Sequence, residues 1–476
     1  MADSQTRSLL EPLLGWRAAE LGAPVVGPTV VGPTVLGPTV LDAARRLLAD
    51  HIAVAAWGSR SDVAAVMRAH VTSDLSRASG PDLPIFGTGL RCSAVEAAMA
   101  NAVAAACFEY DDTHTAASAH PGAVIFPAAL AAAALSGCDG ERFLTAACVG
   151  YEVMCRVARA SNPHAHRARH FHPTSTAGHF GAAAAAAVCL GLSLDEAVAA
   201  LSLAGTVAGG SMQFLVEGAV TKQLHPAYAV QRGVQAALLA RRGFPGLADP
   251  IGGVRGFLAA QSEDPRPERL LAGLGTAPAE ITQAGIKPYP SCRNTQSPAD
   301  ALFGLIREHP VRAEEIERVT FGLIRTGLAT VWDPPQRRRR PQTLADAQFS
   351  MPFVAAVALL DGRLSAEQFR PERYRDPAVV ALMDRVECVS DPALDARYPA
   401  SWPSWAEVTT ADGARYRAVA EHPRGDPANP LTSAELDAKF VDLTRHCYDP
   451  QIRSALLGAV AKLPDTSGLE VILSRA

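Results

Sequence analysis

The sequence predicts a mainly α protein: a large all-α domain that is discontinuous in the chain, with a smaller α+β domain inserted into it. Three observations predict this class. Apolar residues recur at helical spacing from residue 41 to about residue 265, alanine-rich runs dominate that stretch, and alternating β-type sequence appears only after residue 310. With 476 residues the chain is also too long for one core, so about two or three domains are expected.

The first 40 residues are predicted to form an extended lead-in. The stretch VVGPTVVGPTVLGPTVL, residues 25–41, contains a G-P-T-V unit three times. Each Gly-Pro pair opposes helix propagation and favours extended backbone. Two interpretations remain open: a neutral duplication on the surface, or an arm that reaches a partner subunit.

Helices are predicted from residue 41 onward. The first ends at Gly58, and alanine-rich helices follow around FPAALAAAALSG, DGERFLTAACVGYEVMCRVARA and TAGHFGAAAAAAVCLG. Pro127 is placed in the first turn of its helix, where proline is tolerated. Ser193 and Glu196 predict a capping box for the helix that follows them. So much alanine implies closely packed helices whose side chains are too small for chemistry, which directs attention to the segments between them.

The α+β domain is predicted at 269–420. IERVTFGLIRTG alternates like a strand, and AEVTTADGARYRAVAE predicts a β-hairpin around Asp412-Gly413. SMPFVAAVALLDG and DPAVVALMDRV, between them, are predicted to be helical. The C-terminal segments SAELDAKFVDLTRHCY and QIRSALLGAVAKL return to helical spacing, so 41–268 and 421–476 together form the predicted all-α domain.

Composition argues against several classes of protein. A formal net charge of −4 leaves no basic stripe for nucleic acid. The nine cysteines, an odd number without a C-x-x-C pair, are typical of reduced thiols. No apolar run reaches the roughly 18 residues of a membrane span, and the N-terminus lacks the features of a signal peptide. We therefore expect a cytoplasmic protein without nucleic-acid or membrane partners.

Histidines are concentrated in one part of the chain. Seven of the thirteen lie between residues 114 and 179, and FEYDDTHTAASAHPGA places acidic residues beside two of them. Imidazole exchanges protons near neutral pH, so such a cluster between apolar helices predicts a site. His120 and His172, each before a proline at a helix entrance, are the strongest candidates, whereas His164 and His166 are predicted to be solvated.

A metal site is the main alternative for these histidines. HAHRARHFH is dense enough to bind metal, and Asp111, Asp112 and His120 could add ligands. However, the sequence has no H-E-x-x-H motif and no cysteine at ligand spacing from these histidines. We therefore predict no metal. A magnesium-binding Asp pair is also disfavoured, because DDTHT lacks a third acidic position.

Lysine is rare in this chain. Only four of the 44 basic residues are lysine, so each surviving one suggests a need for a compact ammonium group. Lys439 and Lys462 lie on C-terminal helices and are predicted to be solvated. Lys222 and Lys287 lie in irregular stretches beside helix starts, where an anionic substrate would be favoured. An ordinary surface role is the alternative for both.

Several segments together resemble one known family. They are FEYDDTH with HPGAVIFPAALAAA, FHPTSTAGHFGAAAAAAVCLGLS, TKQLHPAYAVQRGVQAALLARRGF, IKPYPSCRNTQSPADAL and HPRGDPANPLT. In this order, from about residue 40 to 465, they resemble the MmgE/PrpD family. That family includes 2-methylcitrate dehydratases, cis-aconitate decarboxylases and iminodisuccinate epimerases.

The resemblance implies a large all-α domain, a smaller α+β domain, a homodimer, and a site without cofactor in a cleft between the domains. Matching motifs place the family's site positions on these residues: Asp112, Thr113, His120, His172, Lys222, His225 and Lys287. Glu109 occupies an acidic position ahead of the Asp pair. Cys292 stands where the decarboxylase branch has histidine, Gln296 where many members have histidine, and Pro226 where glycine is usual. The substrate therefore cannot be transferred from the family.

The functional hypothesis is a cofactor-independent lyase, similar to 2-methylcitrate dehydratase, that removes a proton next to a carboxylate of a small di- or tricarboxylate and expels water. The predicted catalytic residues are His120, His172, Lys222, Lys287 and Asp112, and the predicted substrate-binding residues are Glu109, Thr113, His225 and Cys292. The lysines would stabilise the carbanion and a histidine would move the proton. The alternatives are an epimerase, isomerase or decarboxylase that uses the same residues, and a non-catalytic or metal-binding helical protein.

Overall fold

The computed structural model describes residues 4–18, 35–73, 80–398 and 401–475. The chain forms two compact units: the first contains the residues up to Cys107, Asp111–Ala284 and those from Ser433 onward, and the second contains Phe108–Tyr110 and Gly285–Thr432. Helices dominate and the strands are few, which confirms the mainly α class with a smaller α+β part. The predicted boundaries, after residues 268 and 420, lie somewhat ahead of the observed ones.

The first unit begins with helices and five short strands. Its helices are α1 (Gln5–Leu13), α2 (Pro38–Gly58), α3 (Asp62–Val71), α4 (Ala94–Ala106), α5 (Gly122–Ser136), α6 (Gly140–Ala160), α7 (Pro163–Ala168), α8 (Pro173–Leu190), α9 (Leu194–Gly205), α10 (Phe214–Glu217), α11 (Leu224–Arg241) and α12 (Phe257–Gln261). The strands are β1 (Arg17–Ala18), β2 (Val35–Leu36), β3 (Asp82–Ile85), β4 (Leu90–Ser93) and β5 (Thr113–His114), and β6 (Ala284–Gly285) follows where the chain leaves this unit.

The N-terminal segment differs in part from the predicted lead-in. Residues 5–13 form α1, which Ser4 caps by accepting a hydrogen bond from the Arg7 N–H. Most of the G-P-T-V repeat lies outside the described residues. Its last proline, Pro38, occupies the first turn of α2, where a missing N–H costs nothing.

Helix α8 lies at the centre of the first unit and packs against α5, α6, α9 and α11. Its alanines at 182–187 are completely buried. Because alanine has no side chain beyond Cβ, neighbouring helix backbones approach closely and no polar group enters the packing. This alanine run therefore forms an apolar contact surface for the helices around α8.

Two local predictions for these helices have different outcomes. The capping box is confirmed, since Ser193 and Glu196 bond each other's backbone N–H groups at the start of α9. The placement of Pro127 in a first turn is wrong: α5 already begins at Gly122, and Pro127 lies inside it. The helix starts early because Pro121 has helical backbone angles and its carbonyl accepts the first hydrogen bonds, from Val124 and Ile125.

The second unit contains a four-stranded sheet and a set of helices. The helices are α13 (Arg293–Glu308), α14 (Arg325–Val331), α15 (Pro335–Arg338), α16 (Leu344–Gln348), α17 (Met351–Asp361), α18 (Pro371–Tyr374), α19 (Pro377–Met383) and α20 (Pro392–Asp395). The strands are β7 (Ile316–Leu323), β8 (Val386–Ser390), β9 (Ser404–Thr410) and β10 (Arg415–Ala420), in the order β10-β9-β7-β8. Helices α13 and α17 pack with the sheet around one core.

The predicted hairpin is confirmed, with Arg415 opposite Thr409 and Ala420 opposite Ser404. The turn between β9 and β10 contains Gly413 with a φ of +88°, which glycine adopts without strain. Strand β8 was not predicted. It pairs in parallel with β7 and begins at Val386, the last residue of the segment DPAVVALMDRV that is predicted to be helical, whereas α19 ends at Met383.

Three C-terminal helices, α21 (Ser433–Thr444), α22 (Pro450–Lys462) and α23 (Thr466–Arg475), return to the first unit. Helix α21 buries Leu436, Phe440 and Leu443, and Lys439 lies on the same face. The Lys439 ammonium is 2.6 Å from the carboxylate of Asp50 in α2, and both side chains are almost fully buried. The prediction that Lys439 is solvated is therefore wrong, because position 439 falls within the buried stripe of its helix.

Candidate active site

The nine predicted site residues divide between the two units. The first unit contains Asp112, Thr113, His120, His172, Lys222 and His225, and the second contains Glu109, Lys287 and Cys292. His120 and His225 are partly buried, and the other seven residues are buried. Such burial of ionisable groups is uncommon in a purely structural interior and is typical of functional sites.

His120 is held in one tautomer by the backbone. Its Nδ1 lies 2.8 Å from the main-chain carbonyl oxygen of Asp112. A carbonyl only accepts hydrogen bonds, so Nδ1 must carry the proton and the lone pair is on Nε2. The Asp111 carboxylate is farther from the same nitrogen, at 3.7 Å. In addition, the His120 N–H donates to Thr174 Oγ1 at 3.1 Å, which ties the HPGA segment to the start of α8.

The side chain of Asp112 is completely buried behind His120. Its Oδ1 accepts the Gly122 N–H and its Oδ2 accepts the Tyr151 hydroxyl proton, each at 2.8 Å. Burial, followed by the charge of Asp111, raises the pKa of Asp112 to about 7, although both hydrogen bonds oppose that shift. The carboxylate thus contacts protein donors on both oxygens, while the main-chain carbonyl contacts His120.

His172 and His225 form a hydrogen-bonded pair. Their Nδ1 atoms are 2.9 Å apart, so one imidazole must donate its Nδ1 proton to the other. The edge of Phe214 packs against both rings, with centroids 5.7 Å away. The His172 N–H donates to the Gly210 carbonyl at 3.0 Å and fixes the residue ahead of α8. In the neutral pair, one ring has Nε2–H and the other has a lone pair on Nε2.

Both imidazoles of this pair are held in the neutral form. Burial lowers the pKa of His172 well below its ordinary value, and the charges of His225, Arg167 and His120 lower it further. Burial also lowers the pKa of His225 to about 4, with an additional contribution from the Lys222 ammonium. At neutral pH both rings of the pair are therefore uncharged.

Lys222 and Thr113 supply further polar groups in the first unit. Lys222 lies in a 3₁₀ turn (Val220–Gln223) directly ahead of α11 and is 9% exposed. The buried hydroxyl oxygen of Thr113 has no hydrogen-bond partner among the described residues. A buried hydroxyl without a hydrogen-bond partner costs stability, so a hydroxyl in this state is a candidate for binding a ligand.

Lys287 and Glu109 interact within the second unit. The Lys287 Nζ donates to the main-chain carbonyl of Glu109 at 2.8 Å and lies 3.5 Å from its carboxylate. Glu109 has a φ of +52°, a left-handed conformation that is unfavourable for this residue type. The Tyr110 hydroxyl also donates to the Pro288 carbonyl at 2.8 Å, so the short segment 108–110 is held by residues 287 and 288.

Cys292 is a buried residue at the start of α13. Its N–H donates to the Gln348 carbonyl at 2.9 Å. Gln296, one turn into α13, donates its amide protons to the carbonyls of Ser291 and Tyr289 at 3.0 and 3.2 Å. The glutamine at position 296 thus stabilises the loop that leads to Cys292.

The HPRGDPANPLT segment packs against the backbone next to Lys287. The Ile286 N–H donates to the Gly425 carbonyl at 2.8 Å. Gly425 has a φ of +81°, and a Cβ at this position would lie 1.7 Å from the Ile286 carbonyl oxygen. Only glycine fits here, which gives this part of the quoted motif a structural reason.

One cluster among the described residues has a set of potential metal ligands. The ligand atoms of His114, Cys155 and Glu280 all lie within 4.8 Å of one another and are buried. However, His114 Nδ1 accepts the Ala117 N–H at 3.1 Å, so its proton is on Nε2 and points to Glu280 Oε2, 2.9 Å away. The nitrogen that would bind a metal is therefore a hydrogen-bond donor. These residues fit a buried hydrogen-bond network better than a metal site.

Sequence reasoning missed Tyr151 and misjudged His166. Tyr151 lies in the middle of α6, where its apolar neighbours predict a core residue and give no indication of a polar contact. His166 is completely buried, and it donates from Nδ1 to the Gln261 carbonyl while its Nε2 accepts the Thr176 hydroxyl proton. The prediction that His166 is solvated is wrong, because α7 turns this face toward α8 and α12.

Fold and site together define a mainly α protein of two units, each with buried ionisable residues at the ends of its helices and in its loops. The MmgE/PrpD N-terminal domain matches residues 32–270, and the MmgE/PrpD C-terminal domain matches residues 289–463. The chain belongs to the MmgE/PrpD family.

Curated relatives include two kinds of enzyme. The chain is 29% identical over 411 residues to the cis-aconitate decarboxylase-like protein oryM of Aspergillus oryzae, which covers 82% of this chain and 84% of the relative. It is 28% identical over 417 residues to human cis-aconitate decarboxylase, covering 84% and 82%. The 2-methylcitrate dehydratase of Cupriavidus necator is 29% identical over 289 residues, 58% of each chain.

No helix in the described ranges combines the length and apolar character that crossing a bilayer requires.

Proposed function

We propose that this protein is a cofactor-independent lyase that acts on a small di- or tricarboxylate, removing a proton from the carbon next to a carboxylate and expelling water. One observation carries the proposal: a hydrogen bond to the Asp112 carbonyl leaves the lone pair of neutral His120 on Nε2, and a second hydrogen bond joins the Nδ1 atoms of His172 and His225. Dehydration needs a group that takes a proton and a group that delivers one. Both types of group are present in the first unit.

The proposed reaction balances as follows. His120 Nε2 takes the proton from the carbon next to the carboxylate, and the electron pair of that C–H bond stays on the carbon as a carbanion. The proton then passes to one Nε2 of the histidine pair, the shared proton crosses the Nδ1–Nδ1 bond, and the other Nε2 delivers its proton to the hydroxyl. The carbanion's electron pair forms the alkene as the C–O bond breaks. Water leaves, and neither imidazole of the pair rests in a charged form.

The developing carbanion requires positive charge nearby. Lys222 provides it in the first unit, where it lies close enough to His225 to lower the pKa of that residue. The unpartnered hydroxyl of Thr113 is assigned to a substrate carboxylate or hydroxyl group. Lys287, Glu109 and Cys292 lie in the second unit and remain predicted site residues.

Decarboxylation of a small tricarboxylate is the second candidate function. It is favoured by the relatives named cis-aconitate decarboxylase, whose matches cover more of this chain than those named 2-methylcitrate dehydratase. Loss of carbon dioxide needs a cation and a proton donor but no base to remove a C–H proton. The basic Nε2 of His120 therefore gives dehydration the first place.

A screen of small polycarboxylates tests the function. The purified protein is incubated with 2-methylcitrate, citrate and cis-aconitate carrying labelled carboxyl groups, in a buffer that contains a chelator. We expect alkene absorbance in the ultraviolet with a hydroxy acid, and no release of labelled carbon dioxide. Release of carbon dioxide from cis-aconitate would favour the decarboxylase. Solvent deuterium incorporation without net change would indicate an epimerase, and no reaction with any acid would contradict all three activities.

We also propose that the protein is a homodimer. Of the large apolar side chains exposed among the described residues, most fall in the stretch 207–254: Val207, Val216, Val220, Tyr228, Leu239, Phe244, Leu247 and Val254. A concentration of exposed apolar residues around α10 and α11 is typical of a surface covered by another chain. Light scattering is expected to give about twice the chain mass of 49.9 kDa. A single-chain mass at micromolar concentration would contradict the proposal.

A reducing, cytoplasmic environment is the location that we propose. All nine cysteines are free thiols, and several of them are buried. Disulfide-free interiors are typical of reducing compartments.

A further inference from the structure

We propose that Tyr151 is a positioning residue, which holds the Asp112 carboxylate and thereby aligns the Asp112 main-chain carbonyl that sets the tautomer of His120. The inference rests on the proposed function, because the tautomer of His120 matters only if its Nε2 is the base. It adds to that function a residue of α6 that does not contact the imidazole itself.

The contact between Tyr151 and Asp112 is buried and specific. The Tyr151 side chain is completely buried, and its hydroxyl donates to Asp112 Oδ2 at 2.8 Å. Its ring packs against Phe126 of α5, with centroids 5.8 Å apart. A hydroxyl enclosed in this way has one orientation, so the hydrogen bond fixes the position of the carboxylate.

Gly122 holds the other oxygen of the same carboxylate. Its N–H donates to Asp112 Oδ1 at 2.8 Å. A Cβ at position 122 would lie 2.8 Å from Oδ1 and 3.1 Å from the Tyr151 hydroxyl oxygen. The glycine of the HPGA segment is therefore required because the carboxylate and the tyrosine occupy the space of a side chain. Asp112 is clamped between the first turn of α5 and the middle of α6.

The clamp determines which acceptor His120 uses. With the carboxylate fixed, the carbonyl of the same residue lies 2.8 Å from His120 Nδ1, and it can only accept. The Asp111 carboxylate, at 3.7 Å, is too far from this nitrogen to replace the carbonyl as its acceptor. Two carboxylates act electrostatically on the Asp112 side chain: that of Asp111 and that of Asp50, which is paired with Lys439. Without the tyrosine hydroxyl, a buried carboxylate loses one of its two donors and must reorient, and the carbonyl moves with it.

The test is the tautomer of His120 in the full-length protein. Nitrogen NMR of ¹⁵N-histidine-labelled protein distinguishes Nδ1–H from Nε2–H, and the His120→Gln variant assigns the His120 signal. In the unchanged protein we expect the Nδ1–H form. Tyr151→Phe, which removes only the hydroxyl, is expected to give a mixture of tautomers. It should also lower kcat by about 10²-fold with little change in KM, as a small misplacement of the base would.

Tyr448→Phe is the matched control. Tyr448 is also a buried tyrosine of the first unit, and its hydroxyl accepts the Gly87 N–H at 2.6 Å, apart from the His120 segment. We expect this variant to keep the Nδ1–H form even if its melting temperature falls as much as that of Tyr151→Phe. A mixture of tautomers in Tyr151→Phe alone supports the proposal.

Two outcomes would overturn the inference: an unchanged His120 tautomer in Tyr151→Phe, or an equal change in both tyrosine variants, which would indicate general loosening of the fold. Asp112→Asn offers a second perturbation. Its amide oxygen can replace only one carboxylate oxygen and its amide nitrogen only donates, so either Tyr151 or Gly122 loses its acceptor and a mixture is expected again. The NMR result does not depend on activity. If no polycarboxylate reacts while the tautomer responds as expected, the proposed function fails and the positioning role stands.

Discussion

Replacing Lys222 or Lys287 by arginine is expected to lower kcat/KM by at least about 10²-fold, which corresponds to about 2.7 kcal/mol of transition-state stabilisation. Arginine retains the charge, but its planar head is larger and cannot reproduce the compact ammonium. Lys287 is 2% exposed and donates to the Glu109 carbonyl at 2.8 Å, so its geometry is tightly defined. Steady-state kinetics on the substrate found in the screen measures the effect.

The burial of both lysines changes what is expected for stability. The sequence alone suggests that Lys→Arg exchanges barely move the melting temperature. Since both side chains are buried, the larger guanidinium must overpack its surroundings, and a destabilisation of about 1–3 kcal/mol is expected, above all at position 287. Lys222→Met and Lys287→Met keep the volume and remove the charge, so they separate loss of charge from loss of packing.

The appropriate control is Lys462→Arg. Lys462 is exposed at the end of α22, and its replacement should stay within about 0.5 kcal/mol of neutral. Lys439 is unsuitable as a control, because its ammonium is paired with Asp50 in the interior. Full turnover in Lys222→Arg, Lys287→Arg and both methionine variants would refute the assignment of these lysines.

Local sequence signals predicted the elements that local forces determine. The end of α2 at Gly58, the capping box of Ser193 and Glu196, and the hairpin around Gly413 all depend on residues within a few positions of one another. Strand β8 escaped prediction because it owes its conformation to parallel pairing with β7, more than sixty residues earlier in the chain.

The candidate site was predictable at the level of residue type but not of contacts. Histidine clustering and the rarity of lysine indicated His120, His172, Lys222 and Lys287, and all but His120 are buried. The tautomers depend on which distant atoms each ring meets, such as the Asp112 carbonyl for His120. The same limit applies to Tyr151, whose partner lies 39 residues away, and to Lys439, where helical spacing marks a buried face but not the Asp50 opposite it.

The histidine pair provides the last prediction. His172→Gln and His225→Gln are each expected to lower kcat by about 10³-fold, because either change breaks the Nδ1–Nδ1 bond through which the proton crosses. The double variant should lose little more than either single one, since residues that act as a unit are not additive. Single-turnover kinetics on the unchanged protein, the two single variants and the double variant completes this double-mutant cycle. Additive losses would mean that the two imidazoles act independently.

His51→Gln is the matched control for this cycle. His51 is a buried imidazole that packs against Phe86 and Phe126, and burial lowers its pKa to about 3, so the variant reproduces the loss of a neutral, enclosed histidine. We expect its melting temperature to fall while its kcat stays within about threefold of the unchanged protein, a difference of under 1 kcal/mol in the barrier. A loss of kcat as large as that in the pair variants would show that any buried histidine is needed.

The pair also has a consequence for stability at low pH. Both folded pKa values lie below the ordinary 6.5, so between about pH 6.5 and pH 4 the unfolded chain binds protons that the folded pair does not. The free energy of unfolding must therefore fall as the pH drops through this window. His225→Gln removes one of these two titrating groups, so the stability of the variant should depend less steeply on pH. Denaturant unfolding at pH 5 and pH 7 measures this dependence. An equal slope in the variant and the unchanged protein would mean that folding does not lower the pKa of His225, which would contradict the neutral, buried pair on which the proton relay depends.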